Sequence, residues 1–375
     1  MRRSCGLHYF CWPCACVAAW FLCCVMIKLD QSPIDGQGAK GVQILSTLWN
    51  RKENASLPNT STPPGPLENF ECPENDTLMG VPTNIPLLHQ EFLRYKHCRR
   101  FRTLLTPTSC EDDLYLLLAI KSTALHIDRR AALRDTWGRA GLVNGRSVKL
   151  IFLMGHSDEN MDRYALQPLL EWENRQFGDI LQWDFKDSFF NLTLKEVSFL
   201  SWFGRSCHWA QFVLKGDDDV FVHTENVIEY LNEHSPNEHL FVGDILPRSY
   251  PIRDSDVKYF IPAEMYPNGK PYPPYAGGGG YLMSRKTVVG LDAAAAGVDL
   301  FPIDDVYVGM CLQRMGVQPH AHTGFRTFGF HNIMAHFNPC AYRNLMLVHK
   351  LRPVEMWVMW ALVQDSGLAC SQGAH

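Results

Sequence analysis

Gln211-Phe212-Val213-Leu214-Lys215-Gly216-Asp217-Asp218-Asp219-Val220-Phe221-Val222 is the stretch on which the rest of the chain turns. Phe212, Val213 and Leu214 form an apolar run of the kind that makes a buried strand. After three consecutive carboxylates, Val220-Phe221-Val222 repeats the pattern. Ionised carboxylates held beside buried strands are costly unless another charge compensates them. A divalent cation supplies that charge, and hard oxygen donors suit Mn²⁺ or Mg²⁺. In extended backbone the first and third side chains share a face, so Asp217 and Asp219 are expected to act together while Asp218 points away. The plainer alternative is an exposed acidic turn, and the apolar flanks on both sides argue against it.

Upstream, Leu114-Tyr115-Leu116-Leu117-Leu118-Ala119-Ile120-Lys121-Ser122 is a continuous apolar run, which reads as a buried, parallel strand. Residues 129–138 read as a helix closed by Gly138, with Arg130, Arg134 and Trp137 on one face. Strands follow over 148–155 and 180–185, with helices over 160–177 and 192–203 between and after them. This alternation predicts an α/β domain with a mostly parallel central sheet. Ligands of such sheets gather at the carboxyl ends of the strands. Lys121, Asp187 and Asp217–Asp219 all fall just past predicted strands.

Downstream, Leu240-Phe241-Val242-Gly243 reads as a further short strand. Residues 247–274 are dense in Tyr and Pro and are expected to be loop over the site. Tyr250, Tyr259, Tyr266, Tyr272 and, earlier, Trp209 are candidates for stacking on a ligand, with packing as the alternative. Four glycines, Gly277 to Gly280, suggest backbone that approaches a ligand closely or takes positive φ. Asp304 and Asp305 open a helix, where simple capping is the competing explanation.

Length and charge set outer bounds. At 375 residues the chain accommodates one large domain or two small ones, and 46% apolar content supports a sizeable core. A net charge of −4 with no basic stripe argues against a nucleic-acid partner. Met1-Arg2-Arg3 precedes an almost wholly apolar run over residues 9–29, interrupted by Pro13 and Lys28, whose length is close to that of a bilayer span. A cleaved signal peptide competes, but no small-x-small cleavage site follows. The arginines favour a cytoplasmic N-terminus. The expected layout is therefore a cytoplasmic tail (1–8), a signal anchor (9–29), a Gly-, Pro-, Ser- and Thr-rich stem (30–70) and a lumenal domain (71–375). Sequons at Asn54, Asn59, Asn75 and Asn191 all follow the anchor. Seven cysteines, Cys72, Cys98, Cys110, Cys207, Cys311, Cys340 and Cys370, belong to the lumenal part, so an oxidising compartment leaves at least one of them outside an intramolecular disulfide.

Taken in order, Arg129-Arg130…Leu133-Arg134-Asp135-Thr136-Trp137-Gly138, Lys215-Gly216-Asp217-Asp218-Asp219-Val220, Tyr275-Ala276-Gly277-Gly278-Gly279-Gly280-Tyr281 and Ile303-Asp304-Asp305-Val306-Tyr307-Val308-Gly309 resemble the Golgi β-1,3-glycosyltransferase family. The likeness spans roughly residues 110–370, and Gly-Asp-Asp-Asp-Val with Pro-Ile-Asp-Asp-Val-Tyr-Val-Gly is most similar to the β-1,3-N-acetylglucosaminyltransferase branch. The resemblance implies a GT-A type domain, a type II Golgi membrane protein, a UDP-GlcNAc donor, Mn²⁺ (or Mg²⁺) and an inverting transfer to a galactose-terminated glycan. UDP-galactose is the alternative donor, and a catalytically silent Golgi partner protein is a third reading. Homo-oligomers, or hetero-oligomers with other Golgi transferases, are compatible with the layout.

By the same resemblance, Asp217 and Asp219 hold the metal, with His349 as a third ligand and His331 as its competitor. Asp305 matches the catalytic base, with Asp304 as the fallback, and the base is expected on the far side of the donor sugar from the metal. Arg129, Lys195, Asp217 and Asp218 are assigned to the donor nucleotide, and Asp187 to its uracil.

Overall fold

The computed structural model describes Cys72 and residues 81–157, 162–330 and 336–370, which fall in the unit Glu68–His375. The expected tail, anchor and stem, three of the sequons (Asn54, Asn59 and Asn75) and His331 lie outside the described residues. Among the described residues no helix is long and apolar enough to cross a membrane.

Strands occur in chain order as β1 (Thr103–Leu105), β2 (Leu116–Lys121), β3 (Gly141–Val143), β4 (Arg146–His156), β5 (Ile180–Lys186) and β6 (Phe212–Asp217). They continue as β7 (Val220–Val222), β8 (Phe241–Leu246), β9 (Tyr275–Ser284), β10 (His320–Ala321), β11 (Phe325–Arg326) and β12 (Leu347–His349). The helices are α1 (Leu87–Tyr95), α2 (Ile127–Asp135), α3 (Asp162–Phe177), α4 (Leu192–Ser206), α5 (Thr224–Leu231), α6 (Arg285–Ala295), α7 (Asp304–Met315), α8 (Pro339–Tyr342) and α9 (Pro353–Gln364).

The heart of the main sheet is β5-β4-β2-β6, parallel throughout. Antiparallel strands flank it: β1 pairs with β5, β9 with β6, and β8 with β9. A smaller sheet, β11-β12-β7, packs beside it. Every residue of β2 is buried, as a continuous apolar run in a sheet covered on both faces requires. Alternation divides the run: Leu117 and Ala119 join Phe199 of α4, Val288 of α6 and Val306 of α7. Leu116, Leu118 and Ile120 face the other way, onto Leu133 of α2, Ile228 of α5 and Met359 of α9.

The shared face of Arg130, Arg134 and Trp137 fastens α2 in place. Arg130, fully buried, forks onto Glu173 of α3 at 2.8 and 2.7 Å. Arg134 forks onto Asp179 at 2.7 and 2.8 Å, and Trp137 packs on Met356. Such charge pairs are tolerated in the interior because both partners are satisfied in a planar fork.

Disulfides join Cys72 to Cys98, Cys110 to Cys207 and Cys340 to Cys370, leaving Cys311 as a buried free thiol. The Cys110–Cys207 bridge ties the segment before β2 to the end of α4, just ahead of β6.

The glycine run lies in the middle of β9, where the pairing with β8 shifts register, and as expected its backbone approaches the site: Gly278 and Gly279 line the cavity described below. Its bareness serves packing. A Cβ on Gly277 would meet the Thr327 side chain at 2.5 Å, and one on Gly280 would meet the Lys215 carbonyl at 2.6 Å. Gly280 also sits at φ +148°, in the region that glycine alone adopts freely. Residues 247–274, as expected, hold no strand or helix beyond one bridge between Ile252 and Phe260.

Candidate active site

The carboxyl edge of the parallel strands carries the chemistry. In the β2–β6 register Lys121 stands opposite Asp217, so two strand ends deliver opposite charges to one level. β6 stops at Asp217, two residues turn the chain, and β7 carries it away into the small sheet. There β12 lies antiparallel to β7 with His349 opposite Val220, which sets the histidine beside the acidic turn. One ligand atom from each of Asp217, Asp219 and His349 lies within 4.8 Å of the other two.

His349 Nε2 is 3.2 Å from Asp219 Oδ1, while its Nδ1 is 2.8 Å from the Thr327 carbonyl oxygen. A carbonyl can only accept, so Nδ1 carries a proton, and Nε2, which donates to Asp219 when it is protonated, is the nitrogen that would serve as the ligand atom once deprotonated. Burial pulls the His349 imidazolium down, but the hydrogen bond and charge of Asp219 outweigh it, and its pKa lies above the ordinary value. Burial pushes Asp219 up, yet His349, Arg129 and Lys350 hold it below the usual carboxylate range. Asp217 behaves oppositely: burial, then Asp304 and Asp219, raise it against the pull of Lys121. Two carboxylate oxygens and an imidazole nitrogen suit Mn²⁺ or a similar divalent ion. The three ligand atoms already lie within 4.8 Å of one another, so these residues fit such an ion.

Asp304 and Asp305 begin α7, where unpaired backbone N–H groups and the helix dipole favour negative charge. Successive residues on a helix point about 100° apart, and here the neighbours separate. Asp304 is 4% exposed and accepts a 2.6 Å bond from Lys121 Nζ. Asp305 is half-buried and has Gly278 beside it: a Cβ on that glycine would stand 2.7 Å from its Oδ2. Burial pushes Asp304 up, but the charge and hydrogen bond of Lys121 outweigh it and hold it low. Burial and then the Asp304 charge drive Asp305 well above the usual range, with Lys121 opposing.

A cavity of about 750 Å³ opens here, its lining including Asp217, His349, Lys121, Asp304, Asp305 and Tyr259. Arg129, Lys195 and Asp218, which the sequence reading placed on the nucleotide, are not among its described lining residues. The structure gives each a partner. Asp218 turns away, as expected, and accepts bonds from Ser122 (2.7 Å) and Arg129 (2.8 Å), with His126 Nδ1 at 2.8 Å. Its oxygens are thereby engaged, and the loop after β6 is tied to the loop after β2. Arg129 reaches on to Asp219 at 3.1 Å. Lys195, fully buried, pairs with Asp187 at 2.8 Å and donates to the Ser122 carbonyl at 2.7 Å. Asp187 in turn accepts from the Gly155 amide at 3.1 Å.

Of the aromatic candidates only Tyr259 lines the cavity. Tyr266 and Tyr272 are buried against Phe301. Tyr250 lies at the surface beside Arg248, and Trp209 precedes β6, at the opposite end of the strand from Asp217. Three participants carry no assignment from sequence: Lys121, Thr327 and Gly278. Lys121 had a legible signal, a lysine closing a run of buried apolar residues. Gly278 belongs to the run of four glycines that the sequence marks for close approach, whereas Thr327 acts through packing between distant segments and had no signal.

The chain matches the family described as Galactosyltransferase over residues 128–323, which include Asp217–Asp219 and Asp304–Asp305. It is 51% identical over 312 residues to N-acetyllactosaminide beta-1,3-N-acetylglucosaminyltransferase 4 of Homo sapiens, covering 83% of this chain and 81% of that protein. Over 340 residues it is 45% identical to UDP-GlcNAc:betaGal beta-1,3-N-acetylglucosaminyltransferase 7 of Rattus norvegicus, covering 87% of this chain and 85% of that protein. A third relative, acetylgalactosaminyl-O-glycosyl-glycoprotein beta-1,3-N-acetylglucosaminyltransferase of Mus musculus, is 46% identical over 295 residues, 76% of this chain and 75% of that protein.

Proposed function

This chain belongs to the galactosyltransferase family, and we propose that it transfers N-acetylglucosamine from UDP-GlcNAc, in β-1,3 linkage and with inversion, to a terminal galactose of a glycan. The names of its relatives supply the donor and the linkage. The observation that carries the mechanism is the cavity that brings Asp217 and His349 of one cluster together with Asp305 of another. Asp217, Asp219 and His349 would hold a divalent cation, which when bound neutralises charge developing on the departing UDP diphosphate. Lys350 Nζ, 3.6 Å from Asp219 Oδ2 at the cavity edge, adds positive charge to that side.

Asp305 takes the proton from the attacking galactose 3-hydroxyl as the new bond forms. A base with a raised pKa holds the proton it accepts more firmly than an ordinary carboxylate does. Asp304 is unsuited to that task because Lys121 occupies it. A single base serving a single displacement inverts the anomeric centre. The buried disulfide-bonded core, the Asn191 sequon and the apolar run over residues 9–29 support a type II protein of the Golgi membrane with this domain in the lumen.

The full chain, solubilised in detergent with Mn²⁺ and a galactose-terminated acceptor, tests the reading by UDP release. Acceptor-dependent release is expected with UDP-GlcNAc and is expected to stop with EDTA. Turnover with UDP-galactose alone would overturn the donor assignment, and EDTA-resistant turnover would overturn the metal assignment.

A further inference from the structure

Lys121 ends the central strand of the sheet and is 8% exposed. Its ammonium lies 3.2 Å from Asp217 Oδ1 and 2.6 Å from Asp304 Oδ2. One buried cation therefore touches both acidic clusters: an acid of the metal trio, and the acid that precedes Asp305. The neighbouring cations are engaged elsewhere. Arg129 is held by Asp218 and Asp219, Lys195 by Asp187 and Lys215 by Glu196. A lysine is desolvated at this depth only where carboxylates compensate it, and a compact three-donor ammonium can bind two of them at once.

The geometry also fixes which acid of the helix is left over. With Asp304 bound to Lys121, the first turn of α7 is oriented, and Asp305 has the space beside Gly278. Without that bond both acids would compete for the same opening, and the start of α7 would lose its anchor to β2.

We propose that Lys121 is a positioning residue, a clamp from β2 to α7 that holds Asp304 aside so that Asp305 alone meets the acceptor, and that sets the separation between Asp305 and Asp217. This rests on the reading of Asp305 as the base. It adds a role for a side chain whose ammonium is taken up by Asp217 and Asp304.

The test is a double-mutant cycle on the full chain with Lys121→Met, Asp304→Asn and the pair together. Turnover and Mn²⁺-dependent UDP binding by calorimetry are both read. If Lys121 and Asp304 form one clamp, each single substitution lowers kcat by about a hundredfold, and the pair is no worse than the poorer single variant. UDP affinity stays within about fivefold and the acceptor KM changes far less than kcat. Lys121→Arg, which keeps the charge, regains at least about tenfold over Lys121→Met.

Losses that multiply in the pair would overturn the clamp, as would a loss of UDP affinity that parallels the loss of kcat. Should Lys121→Met fail to unfold cooperatively, the same cycle run with Lys121→Gln, which removes the charge and keeps a polar end, decides the matter by the same criterion. Asp305→Asn is measured alongside. If it keeps wild-type turnover, the base assignment falls and the clamp with it. If it is inactive while Lys121 and Asp304 act independently, the clamp alone falls.

Discussion

The acidic turn at Asp217–Asp219 and the acidic helix start at Asp304–Asp305 solve the same problem differently. Each places adjacent carboxylates at a site edge among basic neighbours, and in each one acid is taken up by its partners while another lines the cavity. In the turn, the chain leaves β6 after Asp217, gives Asp218 to Ser122, His126 and Arg129, and brings Asp219 back beside His349 and within reach of Asp217. In the helix, a rotation of about 100° per residue parts the neighbours, so Lys121 takes Asp304 and only Asp305 is offered. Their charge environments diverge as well. Arg129, Lys350 and His349 keep Asp219 low and ready to bind a cation, whereas Asp305 is driven up by burial and by Asp304. Local backbone geometry thus decides whether an acidic run acts as a chelate or as a single base.

The hardest blow to this contrast is Asp305→Asn. Turnover is expected to fall by about 10³-fold or more while Mn²⁺-dependent UDP binding persists, measurable by calorimetry. Loss of UDP binding instead would make Asp305 part of the chelate. In the wild-type chain kcat/KM is expected to fall as pH drops through the raised pKa of Asp305, at a higher pH than an ordinary carboxylate would give. Because the folded-state pKa is raised, the ionised form costs stability above that pKa, and the cost vanishes below the unfolded value. Asp305→Asn should therefore gain about 1 kcal/mol at neutral pH by thermal unfolding.

Adjacent glycines separate the two clusters at a finer scale. Gly278→Ala would bring a methyl to 2.7 Å from Asp305 Oδ2, whereas Gly279→Ala would bring one to 3.1 Å from His349 Cβ. The first is expected to cost about 100-fold in kcat with UDP affinity kept. The second is expected to weaken Mn²⁺-dependent UDP binding more than it lowers saturated turnover. Identical kinetic signatures from the two variants would erase the distinction.

The smallest effect belongs to Asp218→Asn. Its side chain braces the turn, so about 1 kcal/mol of stability is expected to be lost, with kcat changed by less than about tenfold. A loss as large as that of Asp219→Asn would return Asp218 to direct donor binding.

Much of this arrangement is legible along the chain. The apolar runs at 114–122, 148–155 and 212–214 locate three core strands, with bounds close to the observed β2, β4 and β6. The pairing of Asp217 with Asp219 is expected from strand alternation and is observed, although the chain turns at Asp218 and Asp219 instead of staying extended. The acids at 304–305 fall on a helix start, but nothing local distinguishes one from the other. The glycine run is ambiguous because glycine in a loop and glycine under a packed sheet are the same letters. The stacking tyrosines fail for a related reason: Tyr266 and Tyr272 fill a core that only the folded 247–274 segment creates.

The sequence by itself determined the α/β layering, the acidic strand end and the family, because hydrophobic periodicity and ordered motifs are local properties. Only the tertiary structure decided the division of labour among the charges. Lys121 and Asp304 stand 183 residues apart, and Asp219 meets His349 across the small sheet. Which carboxylate is neutralised, which is presented and which is left to take a proton depends on the distance to a compensating charge, and those distances exist only once the strands are paired.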